Sequence, residues 1–144
     1  MKIAIANDHG GYNLKLWIME NFSLEGQPVD WLDLGCDSPE SVDYPDLGYK
    51  LAGVIEKGEA DFGVAICGSG IGISMALNRS KAVRAAVCVN DTMARLTRID
   101  NNANVLCLGA RLIGTKIAED CLKAFLTTPF ESGGRHERRV NKLG

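Results

Sequence analysis

The sequence predicts an α/β fold: a three-layer α/β/α sandwich around a five-stranded parallel sheet of Rossmann-like type. Three observations predict it. Short, apolar, β-rich runs recur along the chain, and segments with an apolar period near 3.6 residues stand between them. Alternating strands and helices pack as a parallel sheet covered on both faces. The length, 144 residues with 46% hydrophobic and 24% charged side chains, suits a single core, and no linker, repeat or low-complexity tract divides it, so residues 1–144 form one domain.

The first strand is Lys2–Asn7, KIAIAN. Leu14, Trp17, Ile18 and Phe22 follow at helical spacing, with Gly26 and Pro28 marking the end of that helix. Residues 29–34, VDWLDL, form the second strand, and Leu47, Leu51, Val54 and Ile55 line a second helix closed by Gly58. Phe62–Cys67, FGVAIC, is the third strand and runs into a glycine-rich loop and a further helix start. Residues 84–89, RAAVCV, are the fourth; Asp91-Thr92 then offers an N-cap before Met93 and Leu96. Residues 104–109, NVLCLG, are the fifth, and Ile117, Cys121 and Phe125 mark the helix after it. From Thr127 the character changes: TTPFESGGRHERRVNKLG is polar and gathers Arg135, His136, Arg138, Arg139 and Lys142. It reads either as a frayed basic tail or as a helix with Arg135 and Arg139 on one face.

The balance of charge excludes several classes of partner. With 16 Lys and Arg against 18 Asp and Glu, the net charge of -2 provides no basic field for nucleic acid or an anionic membrane. No apolar run approaches the roughly 18 residues of a membrane span, and the N-terminus lacks the plan of a signal peptide. A cytoplasmic protein is expected. The cysteines, Cys36, Cys67, Cys88, Cys107 and Cys121, form no CxxC pair and read as reduced thiols.

Open parallel sheets bind ligands beyond the carboxyl ends of their strands, where the winding reverses. Asn7-Asp8-His9-Gly10-Gly11 follows the first strand and Cys67-Gly68-Ser69-Gly70-Ile71-Gly72 the third, so the two loops are expected to face each other across one crevice. Glycine at every second position lets backbone N–H groups turn toward an anion, although the pattern is neither a Walker A loop nor GxGxxG. Asp91 keeps a nucleotide-binding reading open, and a plain tight turn is the structural alternative. Cys67, at the end of its strand and the start of that loop, is placed to act as base or nucleophile, whereas Cys88 and Cys107 lie within strands and read as core. Asp8 and His9 are either a link of an acid/base system or a hydrogen-bonding pair for a hydroxylated ligand. His9 and His136 are the only histidines, and neither has metal-ligand spacing. Arg111, Arg135 and Arg139 supply planar forks suited to phosphate. Together these residues suggest proton transfer on a small phosphorylated substrate.

The chain resembles the ribose-5-phosphate isomerase type B family, which includes the subunits of galactose-6-phosphate isomerase. The resemblance runs from Met1 to Gly144 through IANDHGG, VDYP, CGSGIGIS, RAA, NNANVLCLGAR and GGRHERRV. It implies an enzyme that interconverts aldose and ketose phosphates, ribose 5-phosphate and ribulose 5-phosphate above all, through a cis-enediolate and without a metal or other cofactor. Carried over to this sequence, it implies that Cys67 is the base and that Ser69 with the N–H groups of Gly68, Gly70, Ile71 and Gly72 stabilises the enediolate oxygen. Asp8 and His9 would hold sugar hydroxyls or phosphate, Tyr44 would line the pocket, Asn101 would contact the sugar, and Arg111, Arg135 and Arg139 would surround the anionic end. It further implies a homodimer or tetramer with active sites at the subunit interface and the basic C-terminal segment packed on the partner.

One position departs from the pattern. Where the family carries a ring-opening histidine before the asparagine, this sequence has Asp100. An aspartate of ordinary pKa, about 3.9, is a poor proton donor at neutral pH. Three expectations follow: ring opening by Asp100 or His9 on ribose 5-phosphate; a different substrate, such as a four-carbon sugar phosphate, allose 6-phosphate or galactose 6-phosphate, the last with a second subunit; or a weakly active phosphosugar-binding protein.

Overall fold

The structure, a computed structural model, describes residues 1–144. In β1 (Lys2–Asn7) alternate side chains enter two different cores: Ile3 and Ile5 on one side, Ala4 and Ala6 on the other. The same alternation in β5 (Phe62–Cys67) and β7 (Val105–Gly109) makes these strands apolar on both faces, as a sheet covered twice requires. With β4 (Asp30–Asp33) and β6 (Ala85–Val87) they form one parallel sheet in the order β4-β1-β5-β7-β6. The predicted fold class and five-stranded parallel sheet stand, and two further short strands form a separate hairpin.

α1 (Tyr12–Asn21), α4 (Asp91–Asn101) and α5 (Thr115–Thr127) cover one face, burying Leu14, Ile18, Ala94, Leu122 and Phe125 against Ile3, Ile5, Val64, Ile66, Leu106 and Leu108. α2 (Tyr44–Glu56) and α3 (Ile71–Leu77) cover the other, where Leu51, Val54, Ile73 and Leu77 meet the smaller Ala4, Ala6 and Ala65. The small sheet residues let α2 and α3 sit close to the strands. No helix is long and apolar enough to cross a membrane.

Two local readings are corrected, and one left open is decided. The first helix ends at Asn21, and Gly26 belongs to a small hairpin of β2 (Ser23–Leu24) and β3 (Gln27–Pro28), whose turn residues Glu25 and Gly26 have φ of 51° and 77°. Two successive positive φ values match the tight hairpin turn that follows strand twist. The N-cap of α4 is Asn90, one residue before the predicted pair: its Oδ1 accepts the Met93 N–H at 2.8 Å. The basic C-terminal segment is a helix, α6 (Arg135–Val140), seated against α4, with Gly133 N–H donating to Glu137 Oε2 at 2.6 Å across its first turn.

Arg98 anchors the end of α4. Its guanidinium, buried, donates to the carbonyls of Thr128 and Ala103 and to Asn102 Oδ1, and stacks over Phe62 and Phe125 at 4.9 and 5.7 Å. Burial, aided by the charge of Arg84, lowers its pKa from the ordinary value.

Candidate active site

β1 and β5 are sheet neighbours, so the loops leaving their carboxyl ends meet, as the sequence predicts. Beyond β1, Asp8 Oδ1 accepts the N–H groups of Gly10 and Gly11 at 2.9 and 3.3 Å and holds a short turn over His9–Gly11. His9 Nδ1 accepts the Val42 N–H at 3.2 Å. That bond fixes the tautomer, with the ring hydrogen on Nε2, and ties the loop to the segment that opens α2. Asp8, His9, Asp43, Tyr44 and Asp46 line an open cleft of about 540 Å³.

Beyond β5, Cys67 Sγ accepts the Gly70 N–H at 3.1 Å. Gly70 turns the loop with φ 77°, and a β-carbon there would sit 2.9 Å from the Leu108 carbonyl carbon, so the position takes glycine for two reasons. Ser69 Oγ accepts the Ile71 N–H at 3.2 Å, which leaves its hydroxyl hydrogen free to donate. The N–H groups of Gly68 and Ser69 have no backbone acceptor within the chain. The Tyr44 ring lies directly over Gly72, where an added β-carbon would meet it at 2.8 Å.

The end of β7 closes this group. Ala110 and Arg111 N–H donate to the carbonyls of Cys67 and Gly68 at 2.9 and 3.0 Å, and the Arg111 guanidinium folds over Gly68, with no carboxylate paired to it. Asp8, His9, Tyr44, Cys67, Gly68, Ser69, Gly70, Ile71, Gly72 and Arg111 therefore lie together: a thiol, the unpartnered N–H groups of Gly68 and Ser69, the Ser69 hydroxyl and a free cation beside a carboxylate-lined cleft, whereas the N–H groups of Gly70 and Ile71, expected as donors to substrate, are taken by Cys67 Sγ and Ser69 Oγ.

Asp100, Asn101, Arg135 and Arg139 are not on that surface. α4 starts at Asp91, just after its cap Asn90 and near the carboxyl end of β6, and ends at Asn101, which leads within four residues into the start of β7. It thus runs antiparallel to the strands, and Asn101 lies at the opposite end of the sheet from Cys67, about 16 Å away along the five residues of β7 at roughly 3.3 Å each. There Asp100, Asn101 and Arg139 line a second pocket of about 290 Å³ together with His136, Val140 and Leu143. Arg135 is exposed on the same helix, α6. His136 Nε2 stands 3.5 Å from Asp100 Oδ1.

Sequence reasoning missed the pairing of His136 with Asp100, although His136 is one of only two histidines and stands in the basic segment. It also missed Asp43 and Asp46, which flank the Tyr44-Pro45 step, and Gly109, where a β-carbon would meet the Ser69 carbonyl oxygen at 2.6 Å. Three other thiols are buried: desolvation pushes Cys88 up to about 11 and Cys121 up to about 12, and holds Cys107 well above the usual thiol range. No three His, Cys, Asp or Glu side chains converge where a metal ion could be held.

Comparison with known proteins identifies the family. The sequence profile of the family described as Ribose/Galactose Isomerase matches residues 3–143. Ribose-5-phosphate isomerase B of Escherichia coli (strain K12) is 39% identical over 142 residues, covering 99% of this chain and 93% of that protein. The solved ribose-5-phosphate isomerase B of Clostridium thermocellum superposes with a TM-score of 0.93 at 48% identity, covering 100% of this chain and 95% of that one. That of Mycoplasma genitalium, solved with bound ribulose 5-phosphate, gives 0.88 at 39% identity over 99% and 93% of the two chains. The fold and the matched span agree, and the chain belongs to the ribose/galactose isomerase family of sugar phosphate isomerases.

Proposed function

We propose that the protein interconverts ribose 5-phosphate and ribulose 5-phosphate, with Cys67 as the base that moves the proton between C2 and C1. The observation that carries this reading is the setting of Cys67 Sγ: it ends a strand beside open N–H groups, a free Ser69 hydroxyl and the unpaired Arg111. In the open-chain aldose, a thiolate takes the C2 proton, and the electron pair moves through C1 onto the carbonyl oxygen O1. The negative oxygen so formed exists only along the reaction path, where the loop donors stabilise it. The proton returns from sulfur to C1, the O2 hydroxyl proton passes to O1, and the ketose results. Asp8 and the Nε2–H of His9 are suited to sugar hydroxyls and phosphate oxygens respectively, since one accepts and the other donates.

A phosphorylated pentose needs a second anion clamp, and Arg139 with Asn101 forms one at the far end of the sheet. One chain cannot fold its two halves together, because β7 stands between them. The site we propose is therefore shared: the Cys67 half of one copy faces the Asn101 and Arg139 half of another in a homodimer or a larger assembly.

Proton NMR of ribose 5-phosphate with the purified protein tests the activity. Conversion is expected at tens of turnovers per second, in the usual range for enzymes, and Cys67→Ala is expected to lower it by a factor on the order of 1,000. Full activity in that variant removes Cys67 from the reaction. No conversion by the unaltered protein shifts the substrate to a four- or six-carbon sugar phosphate, a reading favoured by the aspartate at position 100.

A further inference from the structure

We infer that His136, oriented by Asp100, opens the sugar ring before Cys67 acts. The inference rests on the isomerase reading above and concerns a step that reading leaves unassigned. A pentose 5-phosphate closes on itself as a furanose, in which C1 carries both the ring oxygen O4 and a hydroxyl. The C2 proton becomes acidic only when C1 is a free aldehyde. Opening therefore requires that the C1 hydroxyl lose its proton, that the C1–O4 bond break as the C1 carbonyl forms, and that O4 gain a proton. The net change is one proton carried from O1 to O4. Both oxygens are bonded to C1, so a single imidazole within reach of that carbon can take the proton from one and return it to the other.

Only two imidazoles are available. His9 is committed: its Nδ1 accepts the Val42 N–H at 3.2 Å, and protonating that nitrogen would break the bond that joins the β1 loop to α2. His136 is differently placed. Its Nε2 faces Asp100 Oδ1 at 3.5 Å, which leaves Nδ1 as the nitrogen turned away from the carboxylate. Its side chain is 27% exposed and that of Asp100 43%, so both are reachable from the pocket they line with Asn101 and Arg139. Arg139 lies three residues further along the same short helix, one turn from His136, so an anion held by the arginine is held beside the imidazole. A carboxylate at position 100 is a weak acid by itself, yet at this distance it suits a supporting role, in which its charge orients the imidazole and steadies the imidazolium formed while the proton is in transit. His136 is thus the catalytic group for ring opening and Asp100 a positioning residue.

The fold holds His136 in place. α6 begins after Gly133 and Gly134, the Gly133 N–H is taken by Glu137 Oε2 at 2.6 Å, and the helix lies against α4, which ends at Asp100 and Asn101. The pair therefore joins two helices, and Arg98 fixes the nearer one to the core.

The test separates ring opening from enolisation in one sample. Ribulose 5-phosphate has no free hydroxyl placed to close a furanose on C2, so deuterium uptake at its C1 from D2O reports proton transfer by Cys67 alone. Conversion of ribose 5-phosphate reports both steps. His136→Asn and His136→Gln are expected to lose conversion by a factor on the order of 100, while uptake into ribulose 5-phosphate stays within about threefold of the parent protein. Asp100→Asn should lower kcat for ribose 5-phosphate with little change in KM, and Asp100→Glu should recover most of it. Equal loss of both reactions in a His136 variant with an unchanged melting temperature overturns the inference and makes the residue a binding group; undiminished conversion in both His136 variants also overturns it. If the parent protein neither converts ribose 5-phosphate nor exchanges ribulose 5-phosphate, the reading of ribose 5-phosphate as the substrate fails and this inference falls with it.

Discussion

The five cysteines share a side chain and differ in everything that decides its chemistry. Cys67 was legible as a candidate because its position, last in a strand and first before a glycine loop, is written in the local sequence. Cys107 was legible as core from its place inside a strand, and Cys88, read the same way, lies one residue beyond β6 yet is equally buried. Lys15 was not legible: a lysine on an amphipathic helix reads as solvent-facing, yet it is 1% exposed, with Nζ on the Asp33 carboxylate at 3.1 Å and on the Cys36 carbonyl. Nothing within seven residues of Lys15 announces those partners. The buried thiols carry a pH prediction. Unfolded, they ionise near 9.0; folded, Cys88 waits until about 11 and Cys121 until about 12. Between those values the unfolded chain has released protons that the folded protein still holds, so stability is full below pH 9 and is lost as pH rises toward 12. Urea midpoints measured from pH 7.5 to 10.5 should fall at the alkaline end, and the fall should be shallower in Cys88→Ala once its overall destabilisation is subtracted. A midpoint indifferent to pH across that range would show that these thiols do not couple to folding.

Periodicity located β1 and β5 to the residue, because a strand buried on both faces is apolar without interruption. It overran β6, which is an edge strand of three residues whose side chains are half-buried, so composition gives no sharp end. It also ran the first helix up to Gly26, since a glycine marks a helix end and a hairpin turn alike, and only the backbone distinguishes them. Two elements carry predictions. In α4, Arg98→Met keeps the length of the side chain but leaves the carbonyls of Thr128 and Ala103 without their donor and removes the stack on Phe62 and Phe125. A loss of about 2–4 kcal/mol is expected by chemical denaturation; a loss below about 0.5 kcal/mol would mean that water replaces the guanidinium without cost. At the end of β7, Gly109→Ala drives a methyl into the Ser69 carbonyl at 2.6 Å, a backbone atom that can move only with its loop. Because that loop presents the donors and Cys67, kcat should fall by about tenfold to a hundredfold, more than phosphate affinity does. An unchanged kcat would place the enediolate donors elsewhere.

At the scale of the molecule, the strand order decides what one chain can do. The sequence supplied the rule that loops at the carboxyl ends of neighbouring strands face each other, and that rule assembled the Cys67 half correctly. It did not supply the order β4-β1-β5-β7-β6, in which the last strand of the chain slips between its two predecessors. Sheet order is a matter of long-range pairing, and no local pattern records it. With β7 beside β5, Arg111 is delivered to Gly68, and the descending α4 carries Asp100 and Asn101 away to the opposite end. Residues that the sequence groups by resemblance are thus divided by topology between opposite ends of the sheet, the two halves of the shared site proposed above. The division makes a prediction that no single-chain site shares. Cys67→Ala damages one half and Arg139→Ala the other, so each protein alone should be nearly inactive. Mixed in equal amounts and allowed to exchange subunits, half of the resulting dimers carry one chain of each kind. In such a dimer one site collects both lesions and the other collects neither. Activity should therefore return to about a quarter of the parent rate, as a two-fold shared site requires. The measurement is the rate of ribulose 5-phosphate formation after mild denaturation and joint refolding of the two variants. A mixture no more active than its components would confine Cys67 and Arg139 to the same chain's site or separate Arg139 from catalysis, whereas recovery near a quarter requires that each working site draw on two chains.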